Sequence, residues 1–354
     1  MKNIKEITFG EAILESSDDA MSMDQSVIYY GLGINDPTCI FGTTKGLVSK
    51  HGNQRVFDTP TSENSMLGVG VGAAINGLRP IMVSQRLDFF LLAMDQLVNN
   101  AAKWHFMFGG QSKVPMVIRL IVGRGWGQGP THSQSLQSWF AHIPGLKVVM
   151  PSTPDDAYRL MMASIFDDNP VVFIEHRWLH QQKGLVNMSK NIIEPLAGNT
   201  VVLSGDAITI VASSYLVIEA KIAISFLRKN YRIDCELIDL NIIAPMEVSA
   251  IQNSVKKTGR LLVLDNGHET CSIASEVVSR VVKSSFSDLK QAPEIMAKPD
   301  YAEPTSYALT KEYYIDAEAI SLKVAQMLGV DVDSKCLKKS GHHDVPGDWF
   351  TGPF

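Results

Sequence analysis

Residues 58–77 read DTPTSENSMLGVGVGAAING, and this stretch carries the clearest structural pattern in the chain. A Thr or Ser just before Glu63 can cap a helix, and Glu63 then lies in the first turn, where a negative charge interacts favourably with the helix dipole. Gly68 and Gly72 stand four residues apart and leave one helix face without side chains. Because each glycine costs a helix about 1 kcal/mol relative to alanine, we expect another element to pack closely against that face.

Helical and strand-like patterns alternate on both sides of this segment. Short apolar runs rich in β-branched residues predict strands over 26–31, 80–84, 114–122, 147–150 and 170–175. Helical patterns cover 6–23, 62–76, 88–106 and 154–166. Such alternation is typical of a parallel sheet with helices on both faces.

A second region with the same alternation follows a polar, glycine-containing stretch. Its predicted strands cover 207–212, 234–239 and 260–265, and its predicted helices lie near 214–229 and 273–282. We therefore predict an α/β protein of two doubly wound domains, 1–185 and 201–330, joined by a linker over 186–200. The tail over 331–354 is a docking arm or, by default, a frayed end, and within it His342 and His343 beside Asp344 could ligate a metal.

Composition and charge argue against several classes of protein. The 354 residues are 45% hydrophobic and 19% charged, as in a folded globular protein, and the formal net charge of −5 favours neither nucleic acid nor a membrane surface as partner. The N-terminal residues lack an apolar signal core, and no apolar run reaches the ~18 residues of a membrane helix. The four cysteines have no C-x-x-C spacing and indicate thiols in a reducing compartment, so we expect a cytoplasmic protein.

A second motif, GRGWGQGPTHSQS, covers residues 123–135. It follows a predicted buried strand and places His132 at or near a predicted helix start, where ligands of open α/β sheets bind. A histidine there can exchange protons with a substrate near neutral pH. The alternative is a flexible loop with a capping side chain, and the residues alone do not decide between the two. The glycines lack the G-x-G-x-x-G register of dinucleotide sites.

The order of short motifs resembles that of a known family. DTP-x-SE, G-x-x-x-G-AA-x-x-GLRPI, DQ-x-x-NNAAK, HSQS, PGLKVVMPSTPDDA and DNPVVFIEH occur in the sequence of the beta subunits of pyruvate, branched-chain 2-oxo acid and acetoin dehydrogenases. The resemblance spans about residues 5–330. It implies a transketolase-like pyrimidine-binding domain followed by a transketolase C-terminal-like domain, and thiamine diphosphate as cofactor.

The resemblance also implies roles for individual residues. Glu63, which alone would be interpreted as a dipole-stabilising side chain, matches the glutamate that hydrogen-bonds N1′ of the cofactor's aminopyrimidine. Phe89 matches the aromatic residue packed on that ring, although ordinary core packing is the alternative, and Asp88 replaces an asparagine-like neighbour. His132 matches the active-site histidine that helps to place or protonate the acyl intermediate and its acceptor.

The family also holds a potassium ion largely through backbone carbonyls. The matching positions here are Met116, Ser164, Ile165, Asp167 and Asn169. The alternative interpretation of residues 167–170 is a turn that ends a helix.

On this interpretation, a partner chain must bind the metal and the diphosphate of the cofactor. Enzymes of this type bind them through a G-D-G…N motif, whereas the Gly-Asp pair Gly205-Asp206 here precedes Ala207 and a predicted strand. We therefore expect an alpha-type subunit to supply the Mg²⁺ site in an α2β2 heterotetramer. The implied reaction is oxidative decarboxylation of a 2-oxo acid, with acyl transfer to the lipoyl carrier of an acyltransferase.

Three positions depart from the family pattern. Leu32 and Gly33 stand where two carboxylates are usual, and one of those carboxylates belongs to an acidic path of which Asp95 remains. Asn241 stands where arginine is common. These departures suggest an unusual substrate or acceptor. They leave two alternative interpretations open. One is a two-chain thiamine-dependent decarboxylase or acyl/ketol transferase without a lipoyl carrier, and the other is a non-catalytic regulatory subunit.

Overall fold

The computed structural model describes residues 4–189, 193–338, 344–347 and 349–350. The chain consists of two compact units. The first comprises residues 1–123, 139–196 and 346–354, and the second comprises residues 124–138 and 197–345. No helix of the described residues is both long and apolar enough to cross a membrane.

The first unit contains eight strands and seven α-helices among its described residues. The strands are β1 (Ile4–Thr8), β2 (Val27–Gly31), β3 (Val56–Asp58), β4 (Arg79–Ser84), β5 (Val117–Val122), β6 (Lys147–Val149), β7 (Val171–His176) and β8 (Lys183–Asn187). The helices are α1 (Phe9–Met23), α2 (Leu47–His51), α3 (Glu63–Ile75), α4 (Leu87–Phe90), α5 (Ala102–Met107), α6 (Gln137–Ala141) and α7 (Pro154–Phe166).

A parallel sheet forms the centre of this unit. Its strands lie in the order β6-β7-β5-β4-β2-β3, and each neighbouring pair is parallel. Every residue of β5 and β7 is buried, and most of their side chains are apolar. The buried exceptions include Arg119 and Glu175, which pair with each other. The predicted strands of this region are confirmed, with ends that shift by one to three residues.

Two predictions at the ends of this unit need correction. The helix predicted over 6–23 begins at Phe9, because Thr8 and Glu11 form a reciprocal capping box. Residues 4–8 instead form β1, which pairs antiparallel with β8. Strand β8 therefore extends into the stretch predicted as linker.

The long helix predicted over 88–106 is also wrong as a single helix. The segment consists of α4, a 3₁₀ turn (Leu91–Ala93), a π-helical stretch (Gln96–Ala101) and α5. In the π-helical region the side-chain amide of Asn99 donates to Asp95 (2.7 Å), and that of Asn100 donates to Gln96 (2.9 Å). Hydrophobic periodicity located the buried face, but it does not report which hydrogen-bond ladder the backbone uses.

The second unit is a smaller α/β domain. Its strands are β9 (Thr200–Leu203), β10 (Thr209–Ala212), β11 (Glu236–Asp239), β12 (Ile242–Ala244), β13 (Leu261–His268) and β14 (Glu294–Lys298). Its helices are α8 (Tyr215–Tyr231), α9 (Ser249–Thr258), α10 (Ile273–Ser285), α11 (Tyr307–Thr310) and α12 (Ala317–Leu328). Five strands form a sheet in the order β14-β13-β10-β11-β9, in which only β9 is antiparallel to its neighbour.

The core of the second unit lies between this sheet and its helices. Residues of β10, β11 and β13 pack with α8 and α12 in one apolar cluster. The three strands and two helices predicted here are confirmed, and the fold class of two α/β units holds. The sequence interpretation missed β9, β12, β14, α9, α11 and α12.

The described part of the C-terminal tail is packed, so its default interpretation as a frayed end is wrong. In the second unit, the carbonyl of Asp344 accepts a hydrogen bond from the Trp126 amide (3.3 Å). In the first unit, the Trp349 indole donates to the Trp178 carbonyl (3.3 Å), and Phe350 is buried. His342 and His343 lie outside the described residues.

Candidate active site

A recess opens in the first unit at the carboxyl ends of three parallel strands. Strands β2, β3 and β4 are neighbours and end at Gly31, Asp58 and Ser84, so the loops that follow them meet at one edge of the sheet. This is the edge where open α/β sheets bind ligands. The recess encloses about 440 Å³, part of it open to solvent, and is lined by Leu32, Thr59, Pro60, Glu63, Met66, Met82, Val83, Ser84, Gln85 and Phe89.

Two of the residues predicted for the site, Glu63 and Phe89, line this recess together. Glu63 is the first residue of α3, and the preceding Ser62 makes no side-chain capping bond. Glu63 is half-buried. The Phe89 side chain is 39% exposed, which leaves ring surface available to a ligand and does not fit ordinary core packing.

Asp88 does not line the recess, although it precedes Phe89 directly. Burial lowers the pKa of the Arg86 guanidinium, and the neighbouring Asp88 carboxylate opposes that shift. Arg86 also lies over the ring of Phe41, 5.9 Å from its centroid. The structure therefore places Asp88 beside a buried arginine, and not on the wall of the recess.

The departures at positions 32 and 33 have a structural explanation. Leu32 is 43% exposed and forms part of the recess wall. Gly33 has φ +86°, and a β-carbon there would overlap with the side-chain amide of Gln85. That amide donates to the Leu32 carbonyl (3.2 Å), while the Gly33 N–H donates to Asp58 (2.8 Å). The wall at 32–33 is therefore built from a leucine and a glutamine amide instead of carboxylates.

The chemistry of this lining fits an aminopyrimidine ring. A carboxylate can share a proton with a ring nitrogen, an exposed phenyl ring can stack on the flat heterocycle, and methionine and leucine side chains can keep water away. Glu63, Phe89, Met66, Met82 and Leu32 provide these groups.

The residues that the structure describes do not offer the same fit to a metal diphosphate. Gly205 packs so tightly against Cys235 that a β-carbon would overlap with backbone there, and Asp206 lies in an exposed bend. Among the described residues, the one close group of three His, Cys, Asp or Glu side chains is formed by Glu15, Asp18 and Asp19. Its members already have partners, since Asp18 pairs with His51 (2.7 Å) and Asp19 accepts from the Tyr158 hydroxyl (2.8 Å).

The five positions predicted for potassium come together at the end of α7. Ser164 and Ile165 lie in its last turn, Asp167 caps it, Asn169 donates twice to the Asp167 carboxylate (2.9 Å each), and Met116 accepts from Val171 (2.9 Å). The guanidinium of Arg79 reaches the same carbonyls, with 3.1 Å to Ile165 and 3.0 Å to Asp167. The Ile165 and Asp167 carbonyls therefore already accept from a cationic group. Each retains a second lone pair, but the charge of Arg79 opposes the binding of a cation there.

His132 lies in a loop of the second unit. Its backbone N–H donates to Gly129 (3.3 Å), and its Nδ1 lies 3.1 Å from the Thr131 hydroxyl. The prediction that His132 sits at or near a helix start is wrong, because α6 begins only at Gln137. At Gly129, which has φ +65°, a β-carbon would overlap with Thr305, so this glycine is needed to bring the loop close to its neighbour.

Two buried charged residues that the sequence interpretation missed hold this loop. Lys298 Nζ donates to the carbonyl of Ser133 (3.2 Å), and Gln137 donates to the carboxylate of Asp265 (2.5 Å). Burial raises the pKa of Asp265, and its backbone hydrogen bonds from Gly267 and Ala274 oppose that shift. A lysine that ends an apolar strand, as in the stretch EIMAK, is the signal that could have been noticed.

Comparisons with known proteins agree with this architecture. The transketolase pyrimidine-binding domain family matches residues 5–182, and the transketolase C-terminal domain family matches residues 198–320. A solved structure described as a split-gene transketolase, inactive beta4 tetramer, superposes with a TM-score of 0.71 at 16% identity, over 92% of this chain and 99% of its own. At that identity the likeness concerns the fold.

Two curated relatives are similar over most of the chain. The beta subunit of acetoin:2,6-dichlorophenolindophenol oxidoreductase from Cupriavidus necator is 38% identical, over 88% of this chain and 94% of its own length. The pyruvate dehydrogenase E1 component subunit beta from Rickettsia bellii is also 38% identical, over 87% and 93%. With both transketolase-type domains matched in order, the chain belongs to the transketolase-like family of dehydrogenase beta subunits, which includes those of pyruvate and acetoin dehydrogenases.

Proposed function

We propose that this chain is the beta subunit of a heteromeric, thiamine-diphosphate-dependent 2-oxo acid dehydrogenase, the E1 component of such a complex. The observation that carries the proposal is the recess at the carboxyl ends of β2, β3 and β4. Glu63, at the start of α3, and the exposed ring of Phe89 both line this recess. Membership of the dehydrogenase beta-subunit family supports it.

In this proposal Glu63 holds the proton at N1′ of the aminopyrimidine. When bound, thiamine diphosphate would supply the nucleophilic carbon needed for decarboxylation of the 2-oxo acid. Phe89 packs on the pyrimidine ring, and Leu32, Met66 and Met82 exclude water from it. His132 delivers or accepts a proton at the acyl group during its transfer to the acceptor.

The proposed partner is an alpha-type subunit that supplies Mg²⁺ and the diphosphate site in an α2β2 heterotetramer. Helix α3 supports an open interface: a β-carbon at Gly72 would meet no heavy atom of the described chain within 4 Å, and Val69 beside it is 59% exposed. A lipoyl acyltransferase is the proposed acceptor, and a small 2-oxo acid the substrate. We also propose that the protein works in the cytoplasm.

A potassium ion at the end of α7 completes the proposal. It would be held by carbonyls of Met116, Ser164, Ile165, Asp167 and Asn169, two of which already face Arg79.

A second candidate is a two-chain thiamine-dependent decarboxylase or acyl/ketol transferase that uses no lipoyl carrier. The observation that favours it is the recess wall at Leu32 and Gly33, which lacks the carboxylates usual in lipoyl-linked relatives. A non-catalytic regulatory subunit is the third reading, and the retention of both Glu63 and His132 weighs against it.

The experiment that tests the proposal uses this chain co-expressed with its alpha-type partner. The complex is supplied with thiamine diphosphate and Mg²⁺ and is screened against a panel of 2-oxo acids, and acetoin, with an artificial electron acceptor. We expect reduction of the acceptor with at least one 2-oxo acid. Turnover with the artificial acceptor but none with a lipoyl domain favours the second candidate, and no turnover with any compound contradicts the proposal.

A further inference from the structure

The loop that carries His132 has few hydrogen bonds of its own. Within residues 124–136, the backbone bonds that join loop residues to each other run from Gln128 to Gly125 (3.1 Å) and from His132 to Gly129 (3.3 Å). Residues 133–136, directly before α6, have no regular secondary structure. Contacts with other parts of the second unit add to the two backbone bonds in positioning His132.

Lys298 contacts the residue that directly follows His132. This lysine ends strand β14, is 6% exposed, and donates from Nζ to the carbonyl of Ser133 (3.2 Å). Ser133 itself is 2% exposed and directly follows His132. The bond joins residues 165 positions apart in sequence, so it fixes the loop to the edge of the sheet.

The charge of Lys298 is held in place by a second partner. Its ammonium donates to Glu303 (3.0 Å), whose side chain is 2% exposed, and it lies 5.7 Å from the ring centroid of Tyr314. His268 ends the neighbouring strand β13, opposite Lys298 in the register, and its Nε2 lies 3.6 Å from the same carboxylate. A buried lysine side chain that pairs with a carboxylate is held in one orientation, whereas a solvated lysine side chain can adopt many.

We propose that Lys298 is a positioning residue for His132: by holding the Ser133 carbonyl against the buried Lys298–Glu303 pair, it fixes the imidazole in the place where it transfers a proton. This inference rests on the proposed function, because it assigns Lys298 to the step that His132 performs. Lys298 does not itself touch the reacting atoms in this proposal.

The test compares four forms of the co-expressed complex: wild type, Lys298→Met, His132→Ala and the double variant. Lys257→Met is the matched control, because Lys257 also pairs with a buried carboxylate of the second unit, that of Glu236, but does not touch the loop. The two measurements are kcat with the preferred 2-oxo acid, and amide hydrogen exchange of residues 124–136. The double variant Lys298→Met with Glu303→Gln repeats the test without an unpaired buried charge if Lys298→Met alone folds poorly.

We expect Lys298→Met to lower kcat on the order of 10²-fold, the effect of about 1 Å of misplacement, and to raise hydrogen exchange in the loop, with no change in the Lys257→Met control. In the His132→Ala background the same substitution should cause no further loss of kcat, since residues that act through one another are not additive. Additive losses, or unchanged loop exchange in Lys298→Met, would overturn the inference.

Failure of the proposed function gives different results. A wild-type complex that turns over no 2-oxo acid contradicts the function, while the exchange experiment still decides whether Lys298 fixes the loop. If the wild-type complex is active and His132→Ala has the same kcat, His132 does not take part in the reaction and the inference is overturned. The rest of the proposed function then still stands.

Discussion

The side-chain amide of Gln85 fills the space that a β-carbon on Gly33 would need. Because Gln85 also donates to the Leu32 carbonyl (3.2 Å), these neighbouring positions of the recess wall depend on one another. A carboxylate side chain at position 33 would overlap with Gln85 in its present conformation. Gly33 and Gln85 are therefore coupled positions in the wall of the recess.

Gly33→Ala should lower the free energy of unfolding by about 2–3 kcal/mol, from the left-handed backbone and from the lost Gln85 hydrogen bond. Gly46→Ala is the matched control, since Gly46 has φ +81° and open space around its β-carbon position, and it should cost only about 1–2 kcal/mol. Chemical denaturation measures both. Removing the Gln85 side chain as well should bring Gly33→Ala close to the control, and equal costs for the two alanine variants would refute the pairing.

Glu63→Gln should lower turnover by at least ~10²-fold while the complex assembles normally, because glutamine cannot exchange a proton with the pyrimidine nitrogen. The measurement is kcat, together with deuterium exchange at the cofactor's thiazolium C2. Glu276→Gln serves as control, since Glu276 also lies in the first turn of a helix, α10, but forms only an exposed pair with Arg280. Near-normal C2 exchange in Glu63→Gln would refute the assigned role.

The sequence was sufficient to predict the parts of the fold that depend on buried apolar strands. Strand β5 is apolar except at Arg119, and β7 and β13 each begin with four consecutive apolar residues. The sequence was insufficient where side chains meet across long separations. Strand β1 contains polar and half-exposed residues, and only its pairing with β8 makes it a strand.

The candidate site divides in the same way. Glu63 and Phe89 were assigned by their match to positions of the resembled family, Glu63 within the motif DTP-x-SE, and the structure brings them to one recess. Asp88 belongs to the same local stretch but lies beside Arg86, since the direction of a side chain depends on its backbone. The contact between Lys298 and Ser133 joins distant parts of the sequence, and no local pattern reports it.

Potassium should stabilise the complex if the carbonyls at the end of α7 bind it. At concentrations near 100 times the dissociation constant, binding to the folded state alone adds about 2.7 kcal/mol. Thermal unfolding in potassium chloride is compared with that in choline chloride at equal ionic strength, with sodium chloride as the control for ion size. Identical unfolding midpoints in all three salts would contradict the site.

The isolated chain should not bind thiamine diphosphate tightly, because its residues offer a pyrimidine recess without a metal-diphosphate cradle. Calorimetry with Mg²⁺ present should show weak or undetectable heat for this chain alone, and clear binding after the alpha-type partner is added. Micromolar affinity in the absence of the partner would overturn the assignment of the diphosphate site to another chain.

The first unit should lose stability on mild acidification because of His180. This histidine is buried, its ring stacks on Phe9 (centroids 6.1 Å apart), and burial lowers its pKa from 6.5 to about 4, although the Glu175 carboxylate opposes the shift. A histidine whose folded pKa is depressed binds its proton more readily in the unfolded chain. Its neutral form therefore favours folding above pH 6.5, and this contribution is lost as the pH falls from about 6.5 to about 4.

The loss amounts to roughly 3 kcal/mol, at about 1.4 kcal/mol for each unit of pKa. Urea unfolding between pH 7.5 and pH 4 measures it, and His180→Gln should flatten the profile in that window, since glutamine has no proton to gain. Glu175 acts in a lower window: burial raises its pKa, but the Arg119 guanidinium outweighs this effect and holds it at about 2. Its contribution is therefore present above about pH 4.5 and is lost only as the pH falls from there toward 2. A His180→Gln variant that keeps the full slope between pH 6.5 and 4 would show that another group causes it.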